Sequence, residues 1–266
     1  MNKLRKYIYI YESELMSTLQ YVGNILFNTI GYIVLIFIFF YLWNYIYDDP
    51  TQLIHSYSKN QMIWYVILTE ILWGTTGPRQ LCRKICDDVR SGNIAYAINK
   101  PYHYICYAIS SHLGEITIKA LIVTSLGMGL GFLFMREFPT ISFFGILMVI
   151  VSCFLAVLIN SLIITFIGML SFFIEDANPI QWLYSKILLI LGTIFPIEFF
   201  PSVLQPIIKF SPIYVVCYGP AKLFVDFKVN MFLQILLFQI VYIIIAFILC
   251  HLIYKKGVKR LNVNGG

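Results

Sequence analysis

Apolar positions in this chain come in long runs separated by short polar stretches. The runs are residues 25–47, 61–76, 113–134, 141–174, 183–197 and 231–254. A helix rises about 1.5 Å per residue, so ~20 apolar residues cross a hydrocarbon core about 30 Å thick. The first, third, fourth and sixth runs meet that length. The second is short and carries Glu70. The fifth is short, ends at Pro196 and continues into an apolar stretch, 199–210, that Pro201 and Pro206 interrupt. That pattern predicts a span followed by a folded-back segment over 198–230. The fourth run is longer than one bilayer and predicts a tilted or projecting helix. The expected fold class is all-α: one polytopic membrane domain over 1–266 with six transmembrane helices.

Two stretches outside the runs carry their own pattern. Near the N-terminus, Leu4, Tyr7, Ile8, Tyr11, Leu15, Leu19 and Val22 recur at helical spacing, with Lys3, Lys6, Ser13, Ser17 and Gln20 turned away. This predicts an amphipathic helix over 1–23 lying in the membrane interface. It has no short apolar core and no small-residue cleavage site, so the expectation is an uncleaved first span rather than a removable signal. The second stretch, 78–104, is the longest polar segment. Within it, Asn93 to Asn99 predicts two helical turns, entered through Ser91-Gly92 and stopped by Lys100-Pro101.

Composition agrees with lipid as the solvent. The chain is 59% hydrophobic and 12% charged, with a mean hydropathy of +0.80. Soluble domains run at roughly 45–50% apolar and about 25% charged, so a water-facing globule is excluded. Charge then sets orientation. If the runs are six spans, 13 of the 19 basic residues fall on the side of the two termini. They are Lys3, Arg5 and Lys6; Arg79, Arg83, Lys84, Arg90 and Lys100; Lys186; and Lys255, Lys256, Lys259 and Arg260. By the positive-inside rule both termini are cytoplasmic. The net charge of +6 reflects this topology and implies no nucleic-acid partner. The six cysteines do not form a secreted framework, and reduced thiols are expected.

Candidate chemistry is sparse. Gly127-Met128-Gly129-Leu130-Gly131 lies inside an apolar run with no strand before it, so close helix approach is the better reading than a dinucleotide loop. No G-x-x-x-x-G-K-[ST] occurs, so the chain supplies no P-loop of its own. Cys82 and Cys86 share one helix face near His103 and His112, but the spacing is not a usual zinc spacing and no metal is expected. Glu70 is the one acidic residue deep in a candidate span, which makes it either a functional site or a hydrogen-bonded interior residue. Glu115 and Lys119, at i and i+4, predict a self-neutralised pair. Asn160, Ser161 and Thr165 predict contacts between helices. The acid pairs Asp48-Asp49 and Glu175-Asp176 fall in loops on opposite sides. No hydrolytic set is visible, and no catalytic residue is expected.

Four segments together resemble a known family. Asp87-Asp88-Val89-Arg90-Ser91-Gly92-Asn93-Ile94-Ala95-Tyr96-Ala97-Ile98-Asn99-Lys100-Pro101 is similar to the loop I/V-R-S-G-x-I-x-x-x-L-x-x-P of ABC-2-type exporter permeases, with Ile98 where leucine is usual. Residues 173–201, with Glu175-Asp176-Ala177, Gly192, Pro196 and Phe200-Pro201, resemble that group's fourth-loop and fifth-span signature. Ser211-Pro212 with Tyr218-Gly219-Pro220, and the closing Lys256-Gly257-Val258-Lys259-Arg260 with Gly265-Gly266, are also similar. The resemblance implies a bacterial plasma-membrane exporter subunit that forms the translocation pathway. It implies a coupling helix docked on a separate ATPase, formed here by Arg90, Ser91, Gly92, Asn93, Ile94, Ala95, Tyr96, Ala97, Ile98, Lys100 and Pro101. It also implies two P-loop ATPase partners that bind ATP and Mg, and a second permease, identical or similar. This chain would bind no cofactor itself. The many Phe and Tyr side chains, with few intramembrane charges, lean toward an apolar or amphipathic cargo such as a drug, peptide or lipid.

Three rivals make different demands. A gradient-driven secondary transporter would couple through Glu70 and lose transport in Glu70→Gln. A membrane-embedded enzyme would need a polar catalytic cluster at one depth, which the sequence does not assemble. A structural or immunity-type membrane protein would show no turnover.

Overall fold

The computed structural model describes residues 4–47, 49 and 52–264, without the side chains of Ile98 and 261–264. Lys3, Asp48, the Gly265-Gly266 pair and the side chain of Ile98 therefore lie outside the described residues. The described chain is helical almost throughout. Helix α1 is Arg5–Leu19, α2 is Val22–Asn28 and α3 is Ile30–Ile46. Helices α4 (Lys59–Thr75), α5 (Pro78–Arg90) and α6 (Asn93–Ile98) follow. The long helices α7 (Tyr104–Met135) and α8 (Phe143–Met169) come next, then α9 (Asn178–Leu188). Short α10 (Leu204–Lys209) and α11 (Gly219–Val225) precede α12 (Val229–Asn264).

Among the described residues, four helical segments are long and apolar enough to cross a membrane: Val22–Ile46, Tyr104–Met135, Phe143–Phe172 and Val229–Arg260. They coincide with the first, third, fourth and sixth apolar runs. At 36 residues, α12 is about 54 Å long, well beyond one bilayer. The two shorter runs become elements of a different kind. Helix α4 is buried on all sides, from Met62 through Leu72. Its start is fixed by a capping box, in which Ser58 and Gln61 satisfy each other's backbone N–H groups. The fifth run is a composite. Pro179 in the first turn starts α9 at Asn178, five residues before the expected 183. From Leu189 to Ile194 the helix then widens into π geometry.

A π turn leaves carbonyls without their usual i+4 donors, and α4 supplies replacements. The Tyr65 hydroxyl donates to the Gly192 carbonyl at 3.0 Å, and the Thr69 hydroxyl to the Thr193 carbonyl at 2.9 Å. A second π segment, Tyr214–Tyr218, runs into α11, and both are buried against α4 and α8. Residues 195–228 form short helical segments and turns, and their second half is buried in the bundle. Gln239 of α12 ties it down, donating to the carbonyls of Val215 at 3.1 Å and Ser152 at 2.9 Å.

The loops sort into two ends. At one end, Tyr57 donates to Glu198 at 3.1 Å, Trp64 to the Glu137 carbonyl at 3.1 Å and Gln61 to the Val225 carbonyl at 3.2 Å. These contacts gather 52–58, 136–142 and 195–228. At the other end, the Nζ of Lys6 bonds the Pro101 carbonyl, Arg90 meets Glu175, and the rings of Tyr104 and Tyr254 stack at 6.0 Å. These gather α1, the 77–104 segment, the 173–178 turn and the far part of α12.

Helix α1 departs in part from the expected pattern. It packs along α7, where Gly114 lets the backbone of Tyr11 and Leu15 approach closely. The packed face is Tyr7, Ile10, Tyr11, Glu14, Leu15 and Thr18, whereas Leu4, Ile8 and Leu19 are exposed. Glu14 turns inward because Ser111 donates to it at 2.8 Å and Lys84 pairs with it at 3.5 Å.

Candidate functional site

The polar chemistry concentrates in α5 and α6. A left-handed Gly77 (φ +47°) followed by Pro78 turns the chain sharply out of α4. In α5, Leu81, Cys82, Ile85, Cys86 and Val89 form one buried stripe. They lie against α8 and α9, and Gly168 allows the close approach of Ile85. Arg79, Arg83, Lys84 and Arg90 occupy the opposite, exposed face. Gly92, again left-handed (φ +74°), permits the reversal into α6.

Within α6 the side chains divide by direction. Ile94 is 0% exposed and joins the core formed by Leu81, Ile85, Val89, Tyr104 and Ile105. Tyr96 is 74% exposed. Ser91, Asn93, Ala95, Asn99, Lys100 and Pro101 are also on the surface, while Gly92 and Ala97 are half-buried. Of the eleven residues that the sequence grouped as one docking element, Ile94 therefore faces inward. Arg90 is engaged within the chain: its Nε donates to the Glu175 carbonyl at 2.7 Å, and its Nη2 lies 3.2 Å from the Asp176 carboxylate. The backbone N–H of Asn178, its side-chain amide and then Arg90 hold the Asp176 carboxyl below the ordinary carboxylate range.

The second candidate is Glu70. It is 1% exposed, and neither carboxylate oxygen has a hydrogen-bond partner. Its neighbour Thr69 is paired with the Thr193 carbonyl, whereas the Trp73 indole N–H one turn on is buried without a partner. The Tyr32 hydroxyl of α3 is likewise buried and unpartnered.

The remaining sequence candidates resolve individually. Gly127 and Gly131 are sites of close approach, with Tyr32 and Ile71 against the first and Trp64 and Ile67 against the second, whereas Gly129 faces open space. No contact ion pair joins Glu115 to Lys119; the ion pairs among the described residues lie elsewhere. Asn160 does bridge helices, accepting from Tyr184 at 2.8 Å. Ser161 and Thr165 instead bond backward to carbonyls of their own helix. Cys82 and Cys86 touch at 4.0 Å, but no group of three metal-ligating side chains exists among the described residues. His103 stacks on His251 rather than approaching the thiols. All six cysteines are free. Sequence reasoning missed the Arg90 contact with the 173–178 turn and the hydroxyl donors that complete the π segment.

In comparison with known families, the family described as ABC-2 family transporter protein matches residues 30–265. The chain belongs to the ABC-2 transporter family. It is accordingly a membrane transport component, and the family is generally non-catalytic. Family membership implies, in general, partnership with an ATP-binding subunit. No curated protein matches the chain. The family match spans α3 to α12 and so includes both candidate sites.

Proposed function

We propose that this ABC-2 chain is the membrane-spanning subunit of an ATP-driven exporter in a bacterial plasma membrane. It crosses the bilayer six times: four times through the long helices, once through α4, and once through α9 with its π extension. Both termini are cytoplasmic, because the end that carries α1 and the far part of α12 also carries Arg79, Arg83, Lys84, Arg90, Lys100, Lys255, Lys256, Lys259 and Arg260. Two P-loop ATPases bind ATP and Mg at that end, and a second permease, identical or similar, completes the pathway. The cargo is apolar or amphipathic: a drug, peptide or lipid.

The observation that carries this reading is the form of α6. It is a short helix set on the basic end, anchored through Ile94 and presenting Tyr96 outward. A rigid knob of this kind can transmit motion without being deformed by it. ATP-driven closure of the ATPases then rocks the permeases against each other. The nucleotide must stabilise one global state over the other for this to work. The docking residues become Ser91, Asn93, Ala95, Tyr96, Lys100 and Pro101, with Ile94 as anchor and Arg90 as brace.

Mild detergent purification of the tagged chain from its native host, with identification of bound proteins and an ATP-hydrolysis assay, tests the proposal. A P-loop ATPase that co-purifies and turns over ATP is the expected result. The buried, unpartnered Glu70 favours one rival, a gradient-driven transporter. That rival requires transport without ATP, abolished in Glu70→Gln, from a chain that purifies alone.

A further inference from the structure

Glu70 is the one buried carboxylate among the described residues with no hydrogen-bond partner on either oxygen. Gln239, Asn160, Thr69 and Thr165 are all buried, and each has a partner. Glu70 has none on either oxygen. No cationic side chain faces it among the described residues; the titratable groups within its electrostatic reach are Tyr32 of α3 and Cys217 of the second π segment. A buried polar group without a partner is uncommon in native proteins and calls for an explanation. An ionisable residue at such a depth commonly marks a substrate or ion pathway.

Its surroundings narrow the ligand. One turn along α4 from Glu70 is Gly74, where a Cβ would lie 3.8 Å from the Tyr32 ring and 3.9 Å from Val123. The Tyr32 hydroxyl rests against Gly127 of α7, next to Ile71. So the Glu70 carboxylate and the unpartnered phenol ring of Tyr32 lie near each other where α3, α4 and α7 pack, with apolar side chains around them. A hard inorganic cation such as calcium needs about six to eight oxygen ligands, far more than this site offers. A diffuse organic cation needs one counter-charge, an aromatic face and apolar walls, all of which are present.

Helix α3 is the cover. Of its 17 residues only Tyr32, Ile36 and Trp43 are buried, and Gly31 meets nothing within 4 Å. It is held along one seam, so a cargo group that enters between α3 and α4 has Tyr32 on one wall and Glu70 on the other.

We infer that Glu70 and Tyr32 form the recognition point for the positively charged group of a cationic amphipathic cargo. This rests on the exporter reading and narrows its cargo class. Glu70 supplies the counter-charge and Tyr32 the aromatic face, while Ile71 and Val123 contact the apolar body.

The test uses the purified complex in lipid nanodiscs and two probes of matched shape and opposite charge, tetraphenylphosphonium and tetraphenylborate. Equilibrium dialysis measures their affinities for wild type, Glu70→Gln, Glu70→Asp and Tyr32→Leu, and ATP hydrolysis is followed in parallel. Wild type is expected to bind the phosphonium at least about tenfold more tightly than the borate. Glu70→Gln loses that preference, Glu70→Asp keeps part of it, and only the cation stimulates ATP hydrolysis. Equal binding of the two ions by wild type, or unchanged phosphonium binding in Glu70→Gln, overturns the inference. Should Glu70→Gln fail to fold, the wild-type comparison still decides, and loss of the preference in Tyr32→Leu sustains the site. A complex that retains its ATPase and hydrolyses ATP but ignores phosphonium refutes the cargo class alone. A chain that prefers phosphonium but has no ATPase refutes the exporter reading alone.

Discussion

Arg90 at the end of α5 and Asp176 just before α9 face each other at 3.2 Å, with the same guanidinium also bonded to the Glu175 carbonyl. The contact joins two loops 85 residues apart in sequence at the end where α6 projects. It ties the end of α5 to the start of α9, beside the packing of α5 against α9.

Arg90→Ala should leave the ATPase bound and reduce coupled ATP hydrolysis by at least half. Co-purification and turnover on the same preparation separate the two effects. The pH dependence has a definite sign. The folded-state pKa of Asp176 is lowered, so its contribution is present above the ordinary carboxylate pKa and is lost as pH falls through the lowered value. Stability measured across that acidic range should decline less steeply in Asp176→Asn than in wild type. Equal slopes would mean that the pair is incidental.

The π segment of the fifth run depends on donors from α4. Tyr65→Phe leaves the Gly192 carbonyl without the hydroxyl that it meets at 3.0 Å, and Thr69→Val does the same to Thr193. Each should lower stability by about 1 kcal/mol, read as a drop of a few degrees in the thermal midpoint in detergent. An unchanged midpoint in both variants contradicts the account of how the widened turn is satisfied.

Three glycines in one helix should behave differently. A Cβ at Gly131 would lie 2.6 Å from the Trp64 ring, whereas one at Gly129 would meet nothing within 4 Å. Gly131→Ala and Gly127→Ala are expected to destabilise by about 1–3 kcal/mol through overpacking. Gly129→Ala should be neutral or slightly stabilising, since alanine favours helix by up to ~1 kcal/mol over glycine. Thermal unfolding of the three variants side by side checks this.

The sequence reveals the long helices because their apolar runs match bilayer thickness without reference to neighbours. It also marks the two turns of α6, since Gly92 and Pro101 punctuate them locally. The start of α9 at Asn178 was within reach through Pro179, but hydropathy alone points to 183, because Gln181 and the residues before it dilute the apolar run. The π geometry of Leu189–Ile194 has no local signature, and the donors that meet its carbonyls, Tyr65 and Thr69, stand on another helix. The inward turn of Ile94 is hidden for a related reason. In a six-residue helix either Ile94 or Tyr96 can be turned inward, and the packing of α6 on α5 and the start of α7 decides that Ile94 is. Likewise nothing in the sequence tells that Glu70 lacks a partner, which depends on what α3 and α7 bring to it.

The most direct test of the exporter account compares Tyr96→Asp with Ile94→Asp in the ATPase complex. Tyr96 is exposed, so the account predicts that Tyr96→Asp folds with a wild-type thermal midpoint yet loses its ATPase partner, or at least about tenfold of its ATP turnover. Ile94 is fully buried, so Ile94→Asp places an unpaired charge in the core and should fail to fold at all, at a cost of several kcal/mol. A Tyr96→Asp protein that still holds its ATPase and turns over ATP like wild type would contradict docking through α6.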